Sequence, residues 1–265
     1  VMAGLLGTIA GIIGAILTQL KVLYHMLLSP VRGQTHQERL ESFYKHQATG
    51  YDAFRKKMLH GREYIATDTP KFNKGIWVDM GGGTGINIQN MADQGRLNEF
   101  SKIYILDLTP SLLAVAKQRI EHNGWKNVEA VEGDATVWTP PEGKGSVDLV
   151  TFTYSLSMIP DWFSAVEHAK ALLSPKGLIT VVDFYVSRKY PADGMVRHGW
   201  LTRTLWPAWF ANDNVNLSMD ILPFLRHNFS QDVLLERMGP APVVTFLKYP
   251  FYTFVGHKKA VKNDH

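Results

Sequence analysis

A glycine-rich turn between a predicted buried strand and a predicted helix is the strongest chemical feature of the sequence. Gly81, Gly83 and Gly85 alternate shortly after Asp79, which lies in that strand. Glycines at these positions let the chain turn sharply and let a ligand approach the backbone closely. The first amides of the following helix point into the same crevice, which is where open parallel sheets bind ligands. The residues therefore predict a nucleotide-like ligand beside the turn.

The spacing of these glycines differs from the fingerprint of dinucleotide dehydrogenases, which is Gly-x-Gly-x-x-Gly. Counted from Gly81 or from Gly83, the third glycine would stand where the chain has Ile86 or Ile88. The observed pattern, Asp-x-Gly-x-Gly-x-Gly, resembles the first motif of class I S-adenosylmethionine-dependent methyltransferases. That resemblance implies S-adenosylmethionine as the cofactor.

Further matches follow at the distances along the chain that this family requires. Asp107 ends the second predicted strand, where a carboxylate can accept hydrogen bonds from both hydroxyls of a ribose. Asp134 and Ala135 follow the third strand, where family members hold the adenine amino group. Thr153 and Tyr154 follow at the end of the fourth strand, and the resemblance implies that they face the sulfonium end of the cofactor.

Two tyrosines upstream of the glycine turn, Tyr44 and Tyr51, are candidates for a lid over the cofactor. An aromatic face beside a sulfonium gains cation–π attraction of about 0.5–2 kcal/mol. The alternative is that both rings only pack N-terminal helices onto the sheet. The predicted cofactor-binding residues are Tyr44, Tyr51, Asp79, Gly81, Gly83, Gly85, Asp107, Leu108, Asp134, Ala135, Thr153 and Tyr154.

The elements that position these residues alternate between strands and helices. Strands separated by helices of this size predict a mostly parallel sheet with right-handed crossovers. The predicted fold class is α/β, a Rossmann-like class I methyltransferase sheet of seven strands with the last one antiparallel. It carries an N-terminal helical extension and a helical aromatic insertion. The predicted strands are 76–80, 102–107, 127–132, 147–153, 178–184, 231–238 and 250–256.

The ends of the chain differ from this pattern. An uncharged apolar run from Met2 to Leu20 has about the length that crosses a bilayer, although a core helix is the alternative. The predicted divisions are an apolar membrane-associated helix (1–28), a helical lid (29–75), a methyltransferase domain (76–258) and a basic tail (259–265).

Residues 188–230 interrupt the strand pattern and are predicted to face the substrate and a membrane. Tryptophans alternate there with arginines between Arg197 and Trp209. Such rings and cations suit a bilayer interface, where the rings lie among lipid headgroups. The alternative is a hydrophobic lid over a pocket for a soluble substrate.

A stretch before the first strand is more specific than the cofactor motifs. The segment 47–63 contains Tyr-Asp-Ala-Phe-Arg at 51–55 and His-Gly-Arg-Glu at 60–63. It resembles the methyltransferase portion of betaine lipid synthase, and the resemblance covers roughly residues 30 to 257. The resemblance implies three successive N-methylations of diacylglyceryl-homoserine to the trimethylated betaine lipid. We therefore expect a lipid substrate and association with a membrane, at the cytosolic face of the endoplasmic reticulum.

The same resemblance implies a partner and a cation in the pocket. In eukaryotic members this portion is fused to a second one that builds the homoserine headgroup, and no second nucleotide-binding motif occurs here. A fused or associated aminocarboxypropyl transferase is therefore an expected partner. The carboxylate of the lipid requires a cation, for which the candidates are Arg55, Arg188, Arg197 and Arg203.

A dedicated general base is optional for methyl transfer, because alignment of donor and acceptor alone supplies about 7–11 kcal/mol of the barrier. Tyr154, Asp183 and His198 are the catalytic candidates by their positions.

Composition excludes several other chemistries. The chain has no cysteine, and its ten histidines lack ligand-like spacing, so neither thiolate chemistry nor a metal site is predicted. The net charge of +4 is modest, and the Asn/Asp-Pro-Pro-Tyr/Phe motif of nucleic-acid methyltransferases is missing after the fourth strand. No nucleic acid is therefore expected as a partner. The open alternatives are a methyltransferase for another lipid amine, a quinone or a small molecule, and a non-catalytic cofactor-binding module.

Overall fold

The computed structural model describes residues 33–44, 58–211, 215–241 and 246–259. The predicted apolar helix at 1–28, Tyr51, Arg55 and most of the basic tail lie outside these residues.

The described residues form seven helices and seven strands. The helices are α1 (His36–Tyr44), α2 (Glu63–Asp68), α3 (Ile86–Asp93), α4 (Pro110–Asn123), α5 (Trp162–Leu172), α6 (Trp200–Ala211) and α7 (Ile221–Asn228). The strands are β1 (Gly75–Met80), β2 (Phe100–Asp107), β3 (Val128–Glu132), β4 (Val147–Thr153), β5 (Leu173–Phe184), β6 (Phe229–Pro240) and β7 (Lys248–Lys258). Short 3₁₀ turns occur at Leu97–Glu99 and Leu156–Met158.

The strands form one sheet in the order β3-β2-β1-β4-β5-β7-β6. Strands β1 to β5 pair in parallel, whereas β7 runs antiparallel to both β5 and β6. The prediction of a mostly parallel seven-stranded sheet with an antiparallel last strand is confirmed. The chain leaves β1 first towards β2 and later crosses to β4 on the other side. Strand order reverses at that point, and a crevice therefore opens beyond the carboxyl end of β1.

The central strands are apolar because helices cover both faces of the sheet. In β1, Trp77, Val78 and Met80 are fully buried. Strand β5 begins at Leu173, five residues before the predicted start at position 178. Leu173 already pairs with Val147 of β4, and the register of the β4–β5 pairing shifts between Val147 and Leu149.

The predicted aromatic insertion contains α6 and α7. Trp206 and Phe210 on α6 are buried. The ring of Trp206 packs on that of Tyr249, with 5.8 Å between the centroids. The ring of Phe210 packs on that of Phe184, with 4.5 Å between the centroids. The insertion is thereby attached to β5 and β7. None of the helices in the described ranges combines the length and the apolar character needed to cross a bilayer.

Candidate active site

A cavity of about 360 Å³ lies at the carboxyl ends of β1 to β4, beneath α1. It brings together most of the residues predicted to bind the cofactor, because parallel strands end at one edge of the sheet. Asp79 and Gly85 lie outside its wall. The predicted residues that line it are Tyr44, Gly81, Gly83, Asp107, Leu108, Asp134, Ala135, Thr153 and Tyr154.

Two glycines of the turn are required for different reasons. At Gly81, with φ of 67°, a Cβ atom would lie 2.4 Å from the Cβ of Ser155, so no side chain fits between the turn and the end of β4. At Gly85, with φ of 73°, a Cβ atom would lie 2.8 Å from Ile105 in the core behind the turn. Gly81 thus forms the wall of the cavity, whereas Gly85 allows α3 to pack on β2.

Asp79 is fully buried behind the turn. Its carboxylate accepts hydrogen bonds from the Thr151 hydroxyl at 2.6 Å and from the Asn87 side-chain amide at 3.0 and 3.2 Å. Burial raises the pKa of Asp79 to about 6, because its effect is larger than that of these hydrogen bonds, which lower the pKa. Asp79 therefore orients Asn87, which does line the cavity.

Asp107 presents its carboxylate to the cavity and holds the turn at the same time. Oδ2 accepts from the backbone N–H of Gly83 at 2.9 Å, and Oδ1 accepts from that of Thr109 at 2.8 Å. Burial raises the pKa of this carboxyl group. Each oxygen of an ionised carboxylate retains capacity for another hydrogen bond, which suits the hydroxyls of a ribose.

Helix α1 covers the cavity. The Gln37 side chain donates to the Leu108 carbonyl oxygen at 3.0 Å and to Glu132 at 2.8 Å. At the other end of the helix, the Tyr44 hydroxyl donates to the Met158 sulfur at 3.0 Å. The helix thus spans from the end of β2 to the turn after β4. Gln37 was not anticipated from the sequence, since a glutamine in a polar helix has no distinguishing signal.

Tyr154 lines the cavity with its ring, but its hydroxyl group is already engaged. The hydroxyl donates to the His60 carbonyl oxygen at 2.5 Å, and burial raises the pKa of the phenol well above its ordinary value. A phenol that donates a hydrogen bond and resists ionisation is poorly suited to accept a proton. The geometry therefore favours a binding role for Tyr154 over the predicted role as base.

The other two catalytic candidates do not reach the cavity. Asp183 accepts from the backbone N–H and the hydroxyl of Ser157, at 2.8 and 2.7 Å, and so caps the 3₁₀ turn after β4. His198 accepts from the backbone N–H of Ser187 at 3.0 Å through Nδ1. Both side chains thus bond to neighbouring backbone and do not line the cavity, so this geometry adds no support to their predicted catalytic roles.

The described arginines that were candidates for a substrate carboxylate also lie elsewhere. Arg188 pairs with Asp220 at the surface, Arg197 lies over the ring of Tyr190, and Arg203 donates to the His198 carbonyl oxygen. The cavity wall instead contains Arg62, whose guanidinium carbon lies 5.9 Å from the centroid of the Tyr154 ring. In the sequence, only its place in the His60–Glu63 stretch could have indicated that Arg62 belongs to the site.

Three buried polar atoms on the cavity wall have no hydrogen-bond partner among the described residues. They are Arg62 Nε, Asn87 Oδ1 and Thr153 Oγ1. Because buried polar groups are nearly always paired, one donor, one acceptor and one hydroxyl here fit a polar ligand such as the cofactor expected from the sequence. Within the same described ranges, no group of three His, Asp or Glu side chains is placed to hold a metal ion.

Known proteins share this fold and its cofactor region. A family model described as "Methyltransferase domain" matches residues 44–220. Demethylmenaquinone methyltransferase from Lactococcus lactis is 30% identical over 82 residues, which are 31% of this chain and 32% of that protein. The chain thus spans about a third of the length of the curated relatives it matches.

Solved structures extend the likeness over most of the chain. A SAM-dependent methyltransferase from Aquifex aeolicus has a TM-score of 0.55 and 15% identity, covering 79% of this chain and 96% of that one. The N-methyltransferase NodS from Bradyrhizobium japonicum, in complex with S-adenosylhomocysteine, has a TM-score of 0.55 and 10% identity, covering 78% and 88%. Identities this low establish a common fold.

Proposed function

The chain belongs to the methyltransferase-domain family, and we propose that it transfers methyl groups from S-adenosylmethionine to the headgroup amine of a membrane lipid. The acceptor we favour is diacylglyceryl-homoserine, which would be methylated three times to the betaine lipid. When bound, the cofactor supplies a methyl group on a sulfonium sulfur. Asp107 would hold its ribose, and Asp134 with Ala135 its adenine.

The exposed face of α6 carries the proposal of a lipid acceptor. Trp200, Leu201 and Trp209 are 72%, 65% and 46% exposed. None of the exposed residues of this helix is charged, although a helix face turned to water is normally polar. Apolar patches of this kind mark binding surfaces, and tryptophan with leucine is typical of helices that lie in a bilayer interface.

The opposite face of the same helix is connected to the cavity by aromatic contacts. Phe210 packs on Phe184, and Phe184 packs on Tyr154, each with ring centroids 4.5 Å apart. Tyr154 lines the cavity. The helix that carries the exposed apolar face is thus linked to the cavity through packed aromatic rings, and we propose that a lipid bound at this face presents its headgroup to the cavity.

Cations lie in the segment of the chain that precedes this helix. Lys189 and Arg197 both lie over the ring of Tyr190, at 5.3 and 5.4 Å from its centroid, and that ring is 71% exposed. Cations held among exposed rings attract the anionic headgroups of a cytoplasmic leaflet. We propose that the protein associates with the cytosolic face of the endoplasmic reticulum. We also propose that the enzyme that forms the homoserine headgroup is a fused or associated partner.

A quinone is the second candidate for the acceptor. The curated relatives are named demethylmenaquinone methyltransferases, and a quinone with an isoprenoid tail would use the same apolar surface. The two candidates differ in the atom that receives the methyl group, which is nitrogen in the lipid amine and carbon in the quinone.

The acceptor can be identified directly with purified protein in detergent and radiolabelled S-adenosylmethionine. Diacylglyceryl-homoserine, phosphatidylethanolamine and demethylmenaquinone are supplied in separate reactions. We expect label only in the homoserine lipid, as mono-, di- and trimethylated products. Label in another acceptor would contradict the proposed substrate and identify that acceptor in its place. Absence of label despite cofactor binding would favour a non-catalytic binding module.

The surface of α6 is tested by Leu201→Glu, with Leu201→Met as the matched apolar control. We expect the glutamate variant to bind anionic vesicles about tenfold more weakly, because a charge on this face has to be desolvated. The methionine variant should bind like the wild type. Equal vesicle binding by all three proteins would contradict a role for this face at the membrane.

A further inference from the structure

The 3₁₀ turn Leu156–Met158 is held from below by a carboxylate that does not reach the cavity. Asp183 is fully buried, and its Oδ2 accepts from the backbone N–H of Ser157 at 2.8 Å. Its Oδ1 accepts from the Ser157 hydroxyl and from the backbone N–H of Phe184, both at 2.7 Å. Hydrogen bonds to a carboxylate are stronger than those between neutral groups. The position of the turn is therefore set by the end of β5.

The same turn contacts the helix that covers the cavity. Met158 is its last residue and lines the cavity. The Met158 sulfur accepts from the Tyr44 hydroxyl at 3.0 Å, and Tyr44 is the last residue of α1. One end of α1 is thus bonded to the turn that Asp183 holds.

The turn is also bonded to the segment that follows α6. The Ser157 carbonyl oxygen accepts from the backbone N–H of Asn216 at 2.7 Å. The neighbours of Asn216 in the chain, Val215 and Leu217, are buried. Ser157 therefore uses its N–H and its hydroxyl for Asp183 and its carbonyl oxygen for the insertion.

We propose that Asp183 is a positioning residue for methyl transfer, which acts through this turn on both α1 and the insertion. Helix α1 covers the cofactor cavity, and the insertion is the part that we expect to meet the acceptor. One carboxylate would thereby fix the two sides of the reaction relative to each other, and small displacements of donor and acceptor are costly in rate. The role of the insertion rests on the function proposed above, whereas the bonds of the turn do not.

Hydrogen exchange tests this role without an acceptor. Asp183→Asn keeps the shape of the side chain, but the NH2 group that replaces one oxygen cannot accept a hydrogen bond. We expect exchange to become about tenfold faster in residues 36–44, 155–159 and 215–217, because each of these segments is bonded to the turn or contains it.

Asp148→Asn is the matched control. Asp148 also accepts from a backbone N–H, that of Ile76 at 2.9 Å, and from a serine hydroxyl, that of Ser174 at 3.2 Å. It lies near the start of β4, at the edge of the sheet opposite the cavity. Its replacement should leave exchange in the three segments unchanged.

Binding of S-adenosylhomocysteine gives a second readout. None of the residues 215–217 lines the cavity, yet we expect the ligand to slow exchange there in the wild type, through α1 and the turn. In Asp183→Asn this response should be lost, while the affinity for the ligand measured by calorimetry changes less than about threefold. Asp107 and Asp134, which we expect to hold most of the ligand, lie at other strand ends.

Initial rates complete the test with whichever acceptor the labelling reactions identify. We expect Asp183→Asn to raise the KM for the acceptor about tenfold and to leave the KM for S-adenosylmethionine within about threefold. Ser157→Ala removes only the hydroxyl bond, so it should shift exchange and KM in the same direction by less. It carries the test if Asp183→Asn does not fold.

The proposal is overturned if exchange accelerates only in residues 155–159, because Asp183 then does no more than cap the turn. It is also overturned if strand β3, at the far edge of the sheet, accelerates to the same extent, because the loss is then global. If no lipid is methylated but the three segments accelerate together, the acceptor proposed above fails and the positioning role of Asp183 stands.

Discussion

The Tyr154 hydroxyl donates a 2.5 Å hydrogen bond to the carbonyl oxygen of His60, which lies 94 residues earlier in the chain. Tyr154 has a left-handed backbone with φ of 53°, and its N–H is held by the Val182 carbonyl oxygen at 2.7 Å. The residue thus turns its ring to the cavity and its hydroxyl to the segment that carries Arg62. This one contact joins the end of β4 to the N-terminal part of the site.

Replacement of Tyr154 by phenylalanine separates a structural from a catalytic role. The ring and its contact with Phe184 remain, but the His60 carbonyl oxygen loses its donor. We expect the free energy of unfolding to fall by about 1–3 kcal/mol and kcat to fall less than about tenfold. Urea unfolding and initial-rate measurements check both values.

A general base at this position would give a different result. Loss of such a base typically lowers the rate by about 10²- to 10⁴-fold and removes one limb of the pH–rate profile. A decrease of that size in Tyr154→Phe, with cofactor affinity intact, would restore Tyr154 as the catalytic base.

Asp107 should control affinity for the cofactor. In Asp107→Asn an NH2 group replaces one carboxylate oxygen, and this group cannot accept from a backbone N–H or a ribose hydroxyl. We expect cofactor binding measured by calorimetry to weaken about 10- to 100-fold. Asp93→Asn on the exposed end of α3 is the control, because Asp93 bonds only to Gln89 among the described residues. Equal affinities of the two variants would exclude Asp107 from the site.

The cofactor half of the site could be predicted from the sequence because its residues follow one another at successive strand ends. Asp107 ends β2 and Asp134 follows β3, and parallel strands bring such residues to one edge. Order along the chain therefore determined proximity in space, and both residues line the cavity.

The positions of the residues expected to act on the methyl acceptor depend on contacts that leave no local pattern in the sequence. Asp107 is the last residue of β2 and Asp183 is the penultimate residue of β5. The Asp183 carboxylate nevertheless faces Ser157 and not the cavity. Arg62 lines the cavity, and two tyrosines that are distant in the chain bond to the segment before it. Side-chain direction at a strand end is set by tertiary neighbours, so spacing alone could not separate these cases.

The buried Asp79 predicts a specific dependence of stability on pH. Burial raises its pKa from 3.8 to about 6, so the folded protein binds this proton more tightly than the unfolded chain. Its contribution to stability is therefore fully present below about pH 4 and is lost as the pH rises through about 6. A shift of this size corresponds to roughly 3 kcal/mol.

Urea unfolding of the wild type and Asp79→Asn between pH 4 and 7.5 isolates this contribution. The asparagine variant cannot ionise, so we expect its stability to decline less over this range by roughly 2–3 kcal/mol. Asp183, with a pKa also raised to about 6, remains in both proteins and provides a common background. Parallel stability curves for the two proteins would show that Asp79 does not titrate in this range.

Gly81 and Gly124 form a matched pair for testing the glycine turn. Both have positive φ, 67° and 63°, but a Cβ atom would contact Ser155 at Gly81 and nothing within 4 Å at Gly124. Alanine in this conformation costs about 1–2 kcal/mol at either position. We expect only Gly81→Ala to weaken cofactor binding, by about tenfold or more, because the turn has to move away from Ser155. Equal cofactor affinities of the two variants would show that the close approach is unimportant.

Hydrogen exchange tests whether α1 acts as a lid or only packs on the sheet. Gln37→Ala removes both polar contacts of its side chain, so we expect faster exchange over residues 36–44 and roughly 3- to 10-fold weaker binding of S-adenosylhomocysteine. In the wild type the same ligand should slow exchange there. Asn127→Ala is the control, since that amide bonds the Phe100 carbonyl oxygen at 2.8 Å and does not line the cavity. If exchange over 36–44 responds neither to the ligand nor to Gln37→Ala, the segment packs on the sheet without closing over the cofactor.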